Sequence, residues 1–315
     1  MRITVLAGGV GAARFLRGLR AAAPDASVTV IGNTADDITL FGLRVCPDLD
    51  TVMYTLGGGI NEEQGWGRAA ETHRIGDELA AYGAGPSWFS LGDQDFATHI
   101  LRSQLLAAGE PLSEVTKTLC ARWQPGVELL PMSDDKVETH VRLADGSRSM
   151  VHFQEWWVRL HAAIPAQSIV AVGAEAAAPA PGVLRAIADA DFVLFPPSNP
   201  VVSLGPILAV PGIRDAVAAK TVVGVSGIIG GAPVRGMADA CLAAIGVDTS
   251  AAAVAAHFGA DLLDGWLVDE QDKAAADDPA LAGITVRALP LFMRDLGATM
   301  AIAQAAIELA GELTR

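Results

Sequence analysis

Residues 3–32 read ITVLAGGVGAARFLRGLRAAAPDASVTVIG. Ile3 to Leu6 is an apolar run of strand length, Gly8-Gly9-Val10-Gly11 a tight loop, and Ala12 to Ala22 an Ala/Leu/Arg-rich helix. Pro24-Asp25 breaks that helix, and Ser27 to Ile31 forms a second strand. A strand–helix–strand opening predicts a parallel sheet with right-handed crossovers.

The same rhythm returns from Val183 onward. A helix over 183–190, strand Asp191 to Phe195, helix Arg214 to Ala219 and strand Thr221 to Val225 follow in order. After them come helix Met237 to Ile245, strands Trp266 to Val268 and Ile284 to Ala288, and a closing helix from Ala298 to about Leu313. The middle of the chain departs from the pattern. Helices are predicted over Trp66 to Tyr82, Ala97 to Ala108 and Ser113 to Trp123, the last with Ser113 as N-cap. Strands Val137 to Leu143 and Arg148 to Phe153 flank Ala144-Asp145-Gly146-Ser147, whose Asp-Gly step signals a hairpin. The expected fold is α/β: a doubly wound, mainly parallel, Rossmann-like sheet from residues 1–60 and 181–315. Residues 61–180 form an inserted helical and hairpin region.

Composition narrows the function. Half the residues are hydrophobic (51%) and only 18% are charged, which excludes intrinsic disorder. With 22 Lys and Arg against 36 Asp and Glu the net charge is −14, which argues against duplex nucleic acid and anionic membranes. A phosphorylated small ligand remains open, because a divalent cation held by carboxylates reverses the local field. Cys46, Cys120 and Cys241 are few and far apart, so neither a disulfide framework nor a zinc ribbon is expected. The longest stretch without Asp, Glu, Lys or Arg, Phe192 to Ile213, holds five prolines and cannot be a spanning helix. A soluble protein of the reducing cytoplasm is expected.

Five segments carry candidate chemistry. The glycine loop lets amide N–H groups approach a phosphate at a helix N-terminus. Read as Gly9-x-Gly11-x-x-Arg14, it puts a large cation where the dinucleotide fingerprint has its third glycine, so a simple tight turn stays open. Strand two ends in Asn33-Thr34-Ala35-Asp36-Asp37, and Cys46-Pro47-Asp48-Leu49-Asp50 follows. These carboxylates fall where open α/β sheets bind ligands, and Mg²⁺ takes a few carboxylates plus phosphate oxygens. Asp48 and Asp50, at i and i+2, are expected to project to one side; helix or turn capping is the alternative. Leu91-Gly92-Asp93-Gln94-Asp95 precedes a helix carrying His99, with Asp93 or Asp95 as the cap of that helix and His99 as a packed core residue the structural alternatives. Met132-Ser133-Asp134-Asp135 leads to Glu138-Thr139-His140, and Pro196-Pro197-Ser198-Asn199-Pro200 follows a strand. Trp156-Trp157 reads as packing. Without a Walker loop or Gly-x-Ser-x-Gly elbow, P-loop and serine hydrolysis are poor fits.

Taken in order, GGVGAARFLRGL (8–19), NTADD (33–37), CPDLDTVMYTLGGGI (46–60), GWG (65–67), LGDQDFATHILRSQ (91–104), LLPMSDDKVETH (129–140), HFQEWWVR (152–159), PSNPVVSLGPIL (197–208) and RGMADACLAAIGV (235–247) resemble one family. It is the transferase of coenzyme F-420 biosynthesis called 2-phospho-L-lactate or phosphoenolpyruvate transferase. The likeness is nearest the actinobacterial phosphoenolpyruvate branch. It implies transfer of enolpyruvyl phosphate from enolpyruvyl-diphospho-5′-guanosine to 7,8-didemethyl-8-hydroxy-5-deazariboflavin, releasing GMP with Mg²⁺ as cofactor. It further implies Asp36 and Asp48 on the metal and Asp50 as the catalytic group on the deazaflavin side. Ser90, Asp93 and His140 would meet the deazaflavin beneath the insertion. Gly8, Gly9, Gly11, Asn33, Ser198 and Asn199 would hold the guanosine diphosphate portion. A cytoplasmic homodimer is implied, with small molecules as its other partners.

Two departures stand out: Ser90 replaces a lysine of archaeal relatives, and Gly227 replaces a usual proline. Lactyl and 3-phosphoglyceryl donors are alternatives, as is a non-catalytic nucleotide-sugar-binding regulator of the gluconeogenesis-factor type. That regulator type lacks the Asp-Leu-Asp and Leu-Gly-Asp-x-Asp segments. An Asp-x-Asp glycosyltransferase and a dehydrogenase rank lower.

Overall fold

The computed structural model describes residues 1–146 and 149–314. The opening folds as its sequence reads: strand β1 (Arg2–Ala7), helix α1 (Gly9–Ala22) and strand β2 (Ser27–Gly32). Five more strands complete the central sheet: β3 (Glu128–Pro131), β4 (Phe192–Phe195), β5 (Val222–Val225), β6 (Gly265–Val268) and β7 (Thr285–Ala288). Their spatial order is β7-β6-β5-β4-β1-β2-β3, and every neighbouring pair is parallel. The winding direction reverses between β1 and β4. That topological switch point opens a crevice at the strand C-termini.

Both faces of the sheet are covered, so its inner strands are near-continuous apolar runs, interrupted by Thr4 and Thr29, rather than alternating. All four residues of β4 are buried. One face packs Ile3 and Val5 against Phe15 and Leu16 of α1, Val52 and Met53 of α2 (Pro47–Leu56), and Ile302 and Leu309 of the closing helix Leu296–Leu313. The other packs Leu6, Ile31, Val193 and Phe195 against Ile207, Phe258 and Trp266.

The middle of the chain is less separate than its sequence suggests. Residues 61–180 include β3, which pairs with β2 as the sheet's edge. Its two leucines between Pro125-Gly126 and Pro131 give too short a pattern to stand out. The hairpin forms between Glu138–Leu143 and Met150–His152, and a further strand, Ala166–Val172, flanks it. Ser147 and Arg148, assigned to its turn and second strand, lie outside the described residues.

Helix α3 covers only Arg74–Ala81, not 66–82. Gly65 and Gly67 take positive φ (74° and 67°) and turn the chain back through an Ile60–Arg68 bridge, which interrupts any helix there. Helix α4 (Asp93–Ala107) begins four residues before Ala97. In α5 (Leu112–Trp123) Ser113 lies inside the first turn. The cap comes from Asp134, whose carboxylate accepts from Ser113 N at 2.7 Å and Ser113 Oγ at 3.0 Å. A small ribbon, Ile38–Leu40 with Leu43–Val45, joins β2 to α2. No described helix is long and apolar enough to cross a membrane.

Candidate active site

The loops after β1 and β4 meet at the switch point. Ser198 Oγ donates to the Gly8 carbonyl at 3.0 Å and accepts from Gly8 N at 3.2 Å, stapling the two together. A Cβ on Gly8 would lie 2.5 Å from Ser203 Cβ and 2.7 Å from Asp48 Oδ2, and one on Gly11 would overlap the Pro197 carbonyl. The glycines are therefore fixed by close approach of backbone. Asn199 Oδ1 accepts from Val201 N and Val202 N at 2.9 and 3.2 Å, capping the turn that follows. Above these loops lies a cleft of about 450 Å³, lined by Gly8, Gly9, Gly11, Asp36, Asp48, Ser198 and Asn199.

Asp36 and Asp48 reach this cleft from different elements. Asp36 sits in the turn after β2, and Asp48 in the first turn of α2 behind Pro47. Both are nearly closed off, at 5% and 7% exposure. Asn33, fully buried just behind, donates through Nδ2 to Asp48 Oδ2 (2.9 Å) and the Val202 carbonyl (3.2 Å). Burial, then the charges of Asp48 and Asp37, push the Asp36 carboxyl well above its ordinary range. Burial raises Asp48 to about 6, against the pull of its hydrogen bonds from Asn33 and Gly9.

Asp36 Oδ1 has no hydrogen-bond partner. Two buried carboxylates that repel each other, one with an orphaned oxygen, fit a hard divalent cation that completes its shell with water and phosphate oxygens. No three His, Cys, Asp or Glu side chains converge as a metal site among the described residues.

The other expected site residues lie elsewhere. Asp48 and Asp50 do not project to one side: both fall in the first turn of a helix, where two residues subtend about 200°. Asp50 turns away to pair with Arg102, with His99 Nδ1 3.8 Å distant, and it does not line the cleft. Its Oδ2 is buried without a hydrogen-bond partner. Asp93 caps α3, accepting from Ile75 N at 2.9 Å, Arg74 N at 3.2 Å and Thr72 Oγ at 2.5 Å. These bonds hold its carboxyl below the usual range. Ser90 is exposed, 3.3 Å from His73 Nδ1. His140, on the hairpin, lies 3.4 Å from Glu138 Oε2 and edge-on to His152.

The cleft also holds residues the sequence reading passed over. Trp156 is core, donating to the Ile164 carbonyl at 2.8 Å, but Trp157 stacks on Phe153 and lines the cleft. Arg14 and Arg235 line it too. Arg14 was visible as the break in the glycine fingerprint, whereas Arg235 opens the 235–247 segment of the family likeness, which does not mark it as a cleft residue.

A doubly wound sheet with a glycine loop and two buried carboxylates at its switch point defines an α/β protein with a crevice of the kind in which such sheets bind ligands. Comparison with known proteins narrows the class: residues 3–283 match the family described as 2-phospho-L-lactate transferase CofD, and the chain belongs to that family. It is a transferase of the phosphoenolpyruvate or phospholactate class of coenzyme F-420 biosynthesis.

It is 70% identical to the phosphoenolpyruvate transferase of Thermobifida fusca (strain YX), over 99% of both chains. It is 67% identical to that of Streptomyces coelicolor (strain ATCC BAA-471 / A3(2) / M145), again over 99% of each. A crystal structure of a UPF0052 family member from Bacillus halodurans superposes with a TM-score of 0.63 at 18% identity, covering 97% of this chain and 99% of that one. That likeness concerns the fold alone.

Proposed function

We propose that the cleft binds a guanosine diphosphate whose outer phosphate carries enolpyruvate, and that this acid-bearing phosphate passes to 7,8-didemethyl-8-hydroxy-5-deazariboflavin. The observation that carries the reading is the convergence of Asp36 and Asp48 beside the amides of the Gly8–Gly11 loop. The terminal ribityl oxygen forms a bond to the acid-bearing phosphorus. The bond from that phosphorus to the oxygen bridging it to GMP breaks, GMP leaves, and the hydroxyl proton is released.

Catalysis of this kind is mainly positioning and charge neutralisation. The glycine amides and the N-terminus of α1 face the diphosphate. Ser198 keeps their loop pressed against the 196–200 turn, and Asn33 fixes the rotamer of Asp48. Asp36 and Asp48 are the residues that would hold Mg²⁺, which when bound offsets charge on the phosphoryl oxygens. The family resemblance assigns Asp50 to the acceptor side; in the fold it is paired with Arg102 and its Oδ2 is buried outside the cleft, so that role requires the acceptor to reach it by a rearrangement. The same reading makes the enzyme a cytoplasmic homodimer.

The test is mass spectrometry of the deazaflavin after incubation with protein, Mg²⁺ and the enolpyruvyl, lactyl or 3-phosphoglyceryl donor in turn. A phosphodiester product from the enolpyruvyl donor is expected, abolished by chelator. Tight GDP binding with no product from any donor would replace the reading with the binding-regulator one.

A further inference from the structure

The reaction proposed above leaves one charge of the donor without a partner. Glycine amides and the Asp36–Asp48 pair face the diphosphate, but the transferred acid also carries a carboxylate. Three cations line the cleft, Arg14, Arg235 and Arg294. The guanidinium of Arg294 lies over the Phe292 ring, 5.6 Å from its centroid. Arg14 and Arg235 are different. In a chain of net charge −14, neither has a carboxylate partner among the described residues.

Arg14 stands three residues after Gly11 and four after Val10, on the helix face they share. Arg235 donates to the Gln64 carbonyl. That contact belongs to a strap folded on itself, in which Asn61 Oδ1 accepts from Glu63 N and Gln64 N at 3.1 and 3.2 Å. The strap rests on the glycine loop and α1. A Cβ on Gly65 would fall 2.7 Å from Val10 Cγ1 and 3.3 Å from Arg235 Nη1, and Glu62 pairs with Arg17 at 2.8 Å. Trp66 of the same strap lines the cleft. Burial and the charge of Arg14 together depress the Arg235 guanidinium, the signature of two cations facing each other without an anion.

We infer that Arg14 and Arg235 form a clamp for the carboxylate of the transferred three-carbon acid, and so govern which donor is accepted. The inference rests on the donor class proposed above. The guanidinium fork matches a carboxylate in two parallel hydrogen bonds. The clamp stands where the strap from the 61–180 region meets the nucleotide loop, the border between donor and acceptor that a transferred group must occupy. A carboxylate there would neutralise the repelling pair and, through Arg235 and Gln64, tighten the strap over the cleft.

Three ligands separate the possible sources of the anion: GDP, the enolpyruvyl donor, and the same donor with its carboxylate as a methyl ester. Their binding to the full-length protein, Arg14→Gln and Arg235→Gln is measured by calorimetry with Mg²⁺ and without acceptor. Wild-type protein should bind the free acid roughly 30-fold or more tighter than the ester. Each variant should lose most of that margin while its GDP affinity stays within about threefold of wild type. A fall in GDP affinity that matches the fall for the donor would overturn the clamp and give the arginines to the diphosphate. Equal binding of acid and ester by wild type would overturn it as well.

Arg14→Gln breaks no side-chain hydrogen bond or ion pair among the described residues, so it decides the matter even where Arg235→Gln lowers the melting temperature. A wild-type margin for the acid that the variants lose, with no product formed on adding deazaflavin, would support the clamp and overturn the transfer reaction instead.

Discussion

Asp48 places its carboxylate 2.9 Å from Asn33 Nδ2, in a site where burial raises its pKa to about 6. A carboxyl whose folded pKa exceeds its unfolded value of 3.8 holds its proton more tightly in the native state. Stability therefore falls as pH rises from about 4 to about 6, and the deficit is complete above that. Asp48→Asn removes the charge and keeps an oxygen to accept from Asn33. Ligand-free Asp48→Asn should melt a few degrees above wild type at pH 8, with the gap closing toward pH 4. Turnover should fall by about 100-fold or more, because a neutral amide is a far poorer partner for a divalent cation. A variant less stable than wild type at pH 8 would show that something already neutralises the site, and near-normal turnover would remove Asp48 from it.

Gly11 makes a steric case at the same scale. Its missing Cβ would overlap a backbone oxygen, Pro197 O, which has no side chain to swing aside. Gly11→Ala should cost about 1–3 kcal/mol by forcing the loops apart, and should weaken GDP binding at least tenfold. Gly76→Ala is the control: nothing lies within 4 Å of its Cβ position in α3, and replacing a helical glycine with alanine should gain roughly 0.5–1 kcal/mol. Thermal melts and calorimetry on the two variants would read the contrast. Equal effects at both positions would return Gly11 to an ordinary turn.

At the level of elements, α3 and α4 exchange caps. Asp93, first residue of α4, accepts from the opening amides of α3; Glu71, just before α3, accepts from Gln94 N and Asp95 N of α4, both at 2.8 Å. Neither arrangement is readable along the chain, because each cap lies about twenty residues from the helix it closes. Local reading of the Leu-Gly-Asp segment gives a cap for the helix that follows it, whereas in the fold the Asp93 carboxylate closes α3 instead. Asp93→Ala should speed hydrogen exchange across 75–81 and Glu71→Ala across 94–98. Exchange confined to the mutated residue's own helix would contradict the crossed caps.

The same logic explains Asp50, where sequence spacing puts two acids together and helix geometry sends them apart. It also explains why β3 and the 38–45 ribbon escaped notice. Strands of three or four residues give a periodic pattern no room to repeat, and their identity comes from the strands they pair with.

For the whole molecule, topology was the legible part. The βα rhythm at both ends of the chain gives a doubly wound sheet, and the glycine loop, Asp36, Asp48 and the 196–200 turn all gather at its switch point as such sheets require. What spacing could not show was charge assembled from afar. Arg14 and Arg235 are 221 positions apart, yet they give an acidic protein a cationic spot inside its cleft. The two scales of charge act at different ranges and make opposite claims on an anionic donor. At about 10 mM salt the Debye length is roughly 30 Å, so the approaching nucleotide senses the full −14 and is repelled. At about 150 mM it shrinks to roughly 8 Å, which screens the distant carboxylates but reaches little of the short-range field of the arginines.

Association of GDP, followed by stopped flow at fixed Mg²⁺, should therefore quicken by roughly two- to fivefold between those salt concentrations, the reverse of ordinary electrostatic steering. In Arg14→Gln the same rise should persist from a lower starting rate, because the local attraction is weakened while the global repulsion is untouched. A rate that falls with added salt would mean that the cleft's arginines outweigh the rest of the surface at every distance.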